Sequence, residues 1–251
     1  MILIWVAMLY AGAAGLHAQA TPSATTTVHG RVEVVGARVA GKTRHETIPA
    51  TVVWLTPITG AGGEAIALPP NSPLSLAQNL RLVQKNKSFE PHILVVPTGA
   101  VVEFPNRDPF FHNVFSLFEG KKFNLGLYEA GTSQTVRFDR PGISYIFCNI
   151  HPDMSAVVIT IATPLYAVSN SDGQLGLAGV PFGRYLLHVW SEGIGPENAQ
   201  PLTREITIGE NASSLGVIKV PAANGQSMVH KNMYGREYDE PTPNSSVYEQ
   251  H

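Results

Sequence analysis

The stretch GISYIFCNIHPDMSAVVIT, residues 142–160, contains the only cysteine in the chain, Cys148. His151 follows three residues later and Met154 six residues later, so one short loop carries a thiol, an imidazole and a thioether. The apolar, β-branched runs on both sides predict a strand before this loop and another after it. Three soft or borderline donors between two strands indicate a metal site.

The first twenty residues, MILIWVAMLYAGAAGLHAQA, have the pattern of a secretory signal peptide. They are apolar at first and end in an A-x-A pattern at Ala18 and Ala20, which predicts cleavage after Ala20 and a periplasmic or secreted protein. No Lys or Arg precedes the apolar run, and an uncleaved N-terminal anchor is the alternative. No later stretch is long and apolar enough to cross a bilayer, so we expect no membrane span in the mature chain.

Export has a consequence for the cysteine, because an exposed free thiol is a liability in an oxidising compartment. A single cysteine cannot form an internal disulfide. Cys148 is therefore expected either to be buried in the core or to bind a metal as a thiolate. Burial is the commoner explanation for a lone cysteine, but the neighbouring His151 and Met154 favour a ligand.

The composition points to a globular β protein. Of 251 residues, 44% are hydrophobic and 14% charged, which suits one or two domains with real cores. The 23 glycines and 19 prolines, many short valine-rich runs and no long helical period predict an all-β fold. A net charge of -2 without a basic cluster argues against nucleic acid as a partner.

The predicted strands fall into three groups along the chain. Two strands, at 28–36 and 50–57, come first. Six or seven strands then crowd into 84–163 with short turns between them, which is the spacing of an antiparallel sandwich. A second β unit covers 164–221. The polar residues 222–251 have no period and are predicted to form a flexible tail or a strap along the surface.

The donor types select copper. A thiolate, two imidazoles and a distant thioether are typical of an electron-transfer copper site, with the cysteine and histidines in a plane and a weak axial methionine. Cys148, His151 and Met154 supply three of these donors, and the other imidazole must come from a separate strand. The strongest candidate is His112, at a strand start 36 residues before the cysteine. With one cysteine and no C-x-x-C, structural zinc and covalent haem are poor alternatives.

The segment from about Ser88 to Ala162 resembles a cupredoxin, the small Greek-key β-sandwich that holds type 1 copper. FEPHILVVPTGAVVEFPNRDPFFHNV is similar to the opening strands of that family up to its first histidine ligand. GISYIFCNIHPDMSAVVIT is similar to its ligand loop and last strand, with the short His-to-Met spacing of amicyanin-like members.

The resemblance implies one type 1 copper site. His112, Cys148 and His151 would be the planar ligands and Met154 the axial ligand. Asn113, next to the first ligand, would tie the two ligand segments together and donate toward the sulfur.

The resemblance also implies a one-electron carrier that cycles between Cu(II) and Cu(I). An apolar patch of Phe110, Phe111 and Pro152 near the solvent-side His151 would dock a redox protein partner transiently. No catalytic set is recognisable, so we do not expect an enzyme. The alternatives are a copper-handling protein that stores or delivers the ion, and a cell-envelope binding or scaffold module with a structural copper.

Residues 164–221 resemble part of a second family, the carboxypeptidase regulatory-like (transthyretin-like) β-sandwich, an Ig-like small fold. The similarity lies in SNSDGQLGLAGVPFGRYLLHV, and the strands that normally precede this pattern occur as HGRVEV and TVVWLT before the cupredoxin segment. We therefore predict one small sandwich split over 28–60 and 164–221, with the cupredoxin inserted between its parts. The alternative is two unrelated β pieces that flank the copper domain.

Overall fold

The structure is a computed structural model that describes residues 24–35, 48–58, 80–117, 120–192, 194, 202–221 and 230–238. These ranges contain β-strands and no α-helix, so the predicted all-β class is confirmed. Within them, no helix has the length and apolar character that a membrane crossing requires. The predicted signal peptide, 1–20, lies outside the described residues.

The described residues form sixteen strands. The first eight are β1 (Thr25–Val35), β2 (Thr51–Pro57), β3 (Val83–Lys85), β4 (Ser88–Glu90), β5 (Ile93–Pro97), β6 (Ala100–Pro105), β7 (His112–Ser116) and β8 (Phe123–Tyr128). The others are β9 (Ser133–Phe138), β10 (Gly142–Cys148), β11 (Ser155–Ile161), β12 (Tyr166–Val168), β13 (Gln174–Pro181), β14 (Gly183–Ser191), β15 (Arg204–Ile208) and β16 (Ser214–Pro221).

The first and last strands of the chain form two facing sheets, which we call the outer sandwich. One sheet has the order β13-β1-β16 and the other β12-β2-β14-β15. In β1 the buried residues alternate with exposed ones, and Val28 and Val32 enter the core together with Leu55 and Tyr185 from the opposite sheet. A strand with one face in the core and one face exposed to solvent requires this alternation.

Strands β3 to β11 form a second pair of layers, the site sandwich. One layer is a five-stranded sheet with the order β5-β11-β10-β7-β8. The other joins β3-β4 to β6-β9 through bridges between Arg81 and Glu103 and between Gln84 and Asn106. The core between these layers includes Phe104, Phe138, Ile146, Cys148 and Met154.

A third core lies between the two sandwiches. Val157, Ile159 and Ile161 of β11 pack there with Val52 and Trp190 of the outer sandwich. Because β11 also borders the core of the site sandwich, six of its seven residues are buried. This accounts for the run AVVITI, in which Thr160 is the single polar residue, since a strand that is covered on both faces does not alternate.

The site sandwich thus occurs in the chain between β2 and β12, which share a sheet. Insertion of the site sandwich into the outer sandwich would give this order of strands along the chain. The domain boundaries and the resemblance of the outer sandwich to the regulatory-like family stay predictions. At the C-terminus, residues 230–238 do not have the form of a free tail. They lie against the site sandwich, because buried contacts hold them there.

Candidate metal centre

Two neighbouring strands bring the predicted ligands to one edge of the sheet. β7 and β10 are antiparallel, and Cys148 pairs with Val114. β7 begins at His112 and β10 ends at Cys148, so the turn before β7 meets the loop after β10. The turn-forming sequence PNRDP precedes β7, and the turn-forming sequence NIHPD follows β10.

The structure places three of the predicted donors together. The Cys148 sulfur lies 3.6 Å from Nδ1 of His112 and 3.5 Å from Nδ1 of His151. All three donor atoms lie within 4.8 Å of one another. Cys148 and His112 are fully buried, whereas His151 is half-buried. Both imidazoles have Nδ1 as the nitrogen nearest to the sulfur.

The loop from Cys148 to Met154 closes on itself through its main chain. The Cys148 N–H donates to the Met154 carbonyl at 3.2 Å, and the Met154 N–H donates to the His151 carbonyl at 3.1 Å. Met154 is only 1% exposed and packs in the core that contains Cys148. The assignment of its sulfur as an axial ligand stays a prediction.

Asn113 connects the two ligand segments through its main chain. Its carbonyl oxygen accepts the Asn149 N–H at 2.8 Å, while its side-chain oxygen is buried without a hydrogen-bond partner. Burial raises the pKa of Cys148, and main-chain N–H groups of Asn113, Ile150 and His151 oppose this rise by hydrogen bonding to the sulfur. These groups would stabilise a thiolate.

Both imidazoles are neutral near pH 7. Burial, together with the nearby His112 and Lys87, lowers the pKa of His151 to about 4, although Asp108 opposes this change. Burial also lowers the pKa of His112, although Asp108 opposes that change. A neutral imidazole has the free electron pair that a metal ligand needs.

Asp108, a buried carboxylate behind His112, was not predicted from the sequence. Its Oδ2 lies 2.9 Å from His112 Nε2. Burial raises the pKa of Asp108, but hydrogen bonds from the Lys87 N–H, His112 and the Asn86 N–H outweigh it, and the pKa is lowered. Asp108 is therefore ionised at neutral pH.

Apolar side chains surround the half-buried edge of the site. The ring centroid of Phe110 is 5.4 Å from those of both imidazoles. Phe111 and Pro152 are exposed, as a docking patch would require. Leu127, which pairs with Asn113 and is 62% exposed, is a further exposed apolar residue that was not predicted.

The C-terminal strap, residues 230–238, covers the ligand loop from another side. The Tyr238 hydroxyl donates to the Cys148 carbonyl oxygen at 2.8 Å. The Met233 N–H donates to the side-chain oxygen of Asn149 at 2.8 Å. Nothing in the polar sequence of this segment indicates these contacts, because each partner is more than eighty residues away.

His230 packs the strap onto the sandwich. Its ring stacks on Phe147, with centroids 4.0 Å apart, and it is only 8% exposed. Its Nδ1 lies 3.1 Å from the Lys231 carbonyl oxygen and 3.2 Å from the Tyr238 hydroxyl. His230 is thus an anchor of the strap, next to the residue that precedes Cys148.

Several solved structures are similar to part of the chain. A purple cupredoxin from Nitrosopumilus maritimus is 23% identical, over 33% of this chain and 100% of its own, with a TM-score of 0.31. A Cu-containing nitrite reductase from Thermus scotoductus SA-01 is 24% identical over 42% of this chain and 25% of its own, with a TM-score of 0.32. A point mutant of amicyanin in its reduced Cu(I) form is 20% identical over 33% of this chain and 82% of its own, with a TM-score of 0.32.

No family model matches the chain, and no curated protein sequence matches it. The TM-scores of the similar structures are all below 0.5. The metal centre is therefore inferred from the residues of the site alone.

Proposed function

We propose that the chain is an exported type 1 copper protein that carries single electrons. The observation that carries this proposal is the cluster of the Cys148 sulfur and two imidazole Nδ1 atoms within 4.8 Å of one another. A thiolate with two imidazoles suits copper, and the buried Met154 in the same loop fits the weak fourth ligand of such sites. The signal-peptide pattern at residues 1–20 supports a periplasmic or secreted location.

The donors present fit the ion. A copper bound by His112, Cys148 and His151 supplies one-electron chemistry, because it is stable as both Cu(II) and Cu(I). The chain supplies the arrangement. The strand pair β7 and β10 holds His112 and Cys148, and the loop after β10 holds His151. Ligands that are constrained in this way would rearrange little on reduction of a bound copper.

The residues around the site suit exchange of electrons with another protein. His112 is buried and His151 is half-buried, so His151 forms the side of the site nearer to solvent. Phe110 lies against both rings and limits water there. We propose that Phe111 and Pro152 beside it dock a redox protein through a small, transient interface, and that the chain is not an enzyme.

The test is the visible and electron-paramagnetic spectrum of the purified mature chain after addition of Cu(II). We expect intense visible absorption that a reductant bleaches reversibly. The Cys148→Ser and His112→Ala variants should lose it, while His29→Ala should keep it, because His29 is an exposed histidine of the outer sandwich. A colourless copper-loaded protein, or a coloured Cys148→Ser variant, would refute the proposal.

Electron self-exchange separates a carrier from a copper store or scaffold. A carrier should exchange electrons rapidly between its oxidised and reduced forms, because its ligands barely move. Line broadening in NMR spectra of mixed samples measures this rate. Slow exchange together with full copper binding would favour storage or a structural role.

A further inference from the structure

Asp108 is a buried negative charge in contact with a predicted metal ligand. It is 5% exposed and lies in the turn between β6 and β7, four residues before His112. Its Oδ2 is 2.9 Å from Nε2 of His112, on the side of the ring away from Cys148. Buried carboxylates are uncommon and need several partners.

The partners of Asp108 hold it firmly. The Asn86 N–H donates to Oδ1 at 2.6 Å, and the Lys87 N–H donates to Oδ2 at 3.0 Å. The N–H of Asp108 itself donates to the side-chain oxygen of Asn106 at 3.0 Å. Two main-chain donors therefore hold the carboxylate in addition to its contact with His112, and Asn106 fixes the main chain of Asp108.

The two main-chain donors come from the tip of the β3–β4 hairpin. Asn86 and Lys87 have φ angles of 55° and 53°, and they connect Lys85 to Ser88, which pair directly. Two consecutive residues with positive φ form the type I′ turn that suits a two-residue hairpin. This turn directs two successive N–H groups at one carboxylate, as anion-binding arrangements do.

The arrangement determines which nitrogen of His112 carries the proton. Both oxygens of Asp108 accept main-chain N–H groups, so the carboxylate acts as an acceptor and Nε2 is the N–H nitrogen in this contact. Nδ1 then has the free electron pair, and it is the nitrogen 3.6 Å from the Cys148 sulfur. Hydrogen bonds of this kind orient a ligand and increase its basicity.

We propose that Asp108 positions His112 for the metal and, as a fixed negative charge beside the site, lowers the reduction potential. The effect on the potential rests on the proposed function, whereas the effect on His112 does not require a metal. A buried negative charge would favour Cu(II), the more positive oxidation state, because the low effective dielectric around the charge screens it poorly. The structure thus assigns to Asp108 both the orientation of a ligand and part of the tuning of the centre.

The test compares Asp108→Asn with Asp153→Asn. The first variant removes the buried charge with little change in shape. The second removes the same charge from an exposed position within the ligand loop. Relative to the native protein, Asp108→Asn should shift the Cu(II)/Cu(I) equilibrium at least about tenfold toward Cu(I), which is ~59 mV for one electron. Asp153→Asn should shift it less than about threefold, because water screens its charge.

NMR of the metal-free protein tests the positioning separately. In the native protein the Nε2–H proton of His112 should resonate far downfield and exchange slowly with solvent. Asp108→Asn should move this signal upfield and Asp108→Ala should abolish it, while Asp153→Asn leaves it in place. The copper spectra of the native chain report the proposed function independently.

These experiments test the role of Asp108 and the proposed function separately. An unchanged His112 signal in Asp108→Asn, or a shift in the equilibrium no larger than that of Asp153→Asn, overturns the role of Asp108 even if copper binds normally. A native chain that binds no copper refutes the proposed function. In that case the His112 signal still decides whether Asp108 positions the ring, and an unaffected signal overturns the inference. Circular dichroism and thermal melting confirm that each variant is folded.

Discussion

The hydroxyl group of Tyr238 donates a hydrogen bond to the main-chain carbonyl oxygen of Cys148 at 2.8 Å, although 90 residues separate them. This contact joins the C-terminal strap to the residue that provides the thiol. His230 supports the strap by stacking on Phe147, the residue before Cys148. The strap is therefore part of the ligand region and not an appendage.

The Tyr238→Phe substitution should loosen this contact. It removes the partly buried hydrogen bond to Cys148 and the hydroxyl contact with His230 Nδ1, so we expect the free energy of unfolding to fall by about 0.5–1.5 kcal/mol. A urea titration measures this change. Tyr234→Phe is the matched control, since Tyr234 is 72% exposed, and it should change stability by less than about 0.5 kcal/mol. Equal effects of the two substitutions would show that the contact contributes nothing.

Met154 combines a core role with a predicted ligand role, and two substitutions separate them. Met154→Ala should cost about 2–5 kcal/mol of stability, because the side chain is 1% exposed and its loss leaves a cavity. Met154→Leu keeps most of the volume and should cost less than about 1.5 kcal/mol.

If Met154 is the axial ligand, the Leu variant should bind copper with a changed reduction potential, because the axial ligand tunes that potential. Its visible colour should persist, since the colour depends on the Cys148 thiolate. Cyclic voltammetry and absorption spectra measure these two properties. A potential equal to that of the native protein would contradict the axial assignment.

An ion pair between the two sandwiches predicts a pH effect on stability. His92 Nε2 lies 2.7 Å from a carboxylate oxygen of Glu192, and His92 Nδ1 lies 3.0 Å from the Ser155 carbonyl. The hydrogen bond that His92 donates to Glu192 raises the pKa of His92 against the effect of burial, and the same bond lowers the pKa of Glu192. His92 is thus favoured in its protonated form and Glu192 in its ionised form.

The sign of the pH effect follows from these directions. The contribution of His92 is complete below its ordinary pKa of about 6.5 and disappears as pH rises through the raised value. The contribution of Glu192 is complete above its ordinary pKa of about 4.3 and disappears as pH falls through the lowered value. The pair should therefore stabilise the protein most between about pH 4.5 and 6.5.

The Glu192→Gln variant measures this contribution. Both side chains are about 40% exposed, so we expect a difference from the native protein of no more than about 1 kcal/mol in that window. The difference should shrink at pH 9, where His92 is neutral. Urea titrations at several pH values provide the profile, and a difference that does not vary with pH would contradict the assignment.

The core between the two sandwiches predicts that a small truncation of a side chain there lowers the stability markedly. Val157→Ala in β11 should cost about 2–3 kcal/mol, because Val157 is fully buried between two sheets. Val101→Ala removes the same atoms from a residue that is 44% exposed and should cost much less. Thermal unfolding of the two variants compares them directly. Similar melting temperatures would mean that the contact between the sandwiches adds little to stability.

Much of the site could be predicted because its donors are close in sequence. Cys148, His151 and Met154 occupy one loop, and a loop of seven residues keeps them within reach of one another in almost any fold. His112 required a guess about strand pairing. That guess agrees with the structure because turn-forming residues lie before β7 and after β10, and both strands have strong β patterns.

Asp108 and Asn113 show where sequence patterns are insufficient. An aspartate within PNRDP is typical of a turn, and its type alone does not distinguish a solvated turn residue from a buried partner of His112. Asn113 was expected to act on the sulfur. Its main chain supplies the contacts, which any residue except proline could provide, so the identity of the side chain carried little information.

The sequence by itself determined the all-β class, the strands of the site sandwich and the chemistry of the donors, because these depend on local pattern and residue type. Only the tertiary structure decided which groups surround those donors. Two N–H groups of the β3–β4 hairpin donate hydrogen bonds to Asp108, and Tyr238 of the strap donates one to Cys148. Such contacts join segments far apart in the chain, and their energy depends on distance and burial, which no local pattern of residues encodes.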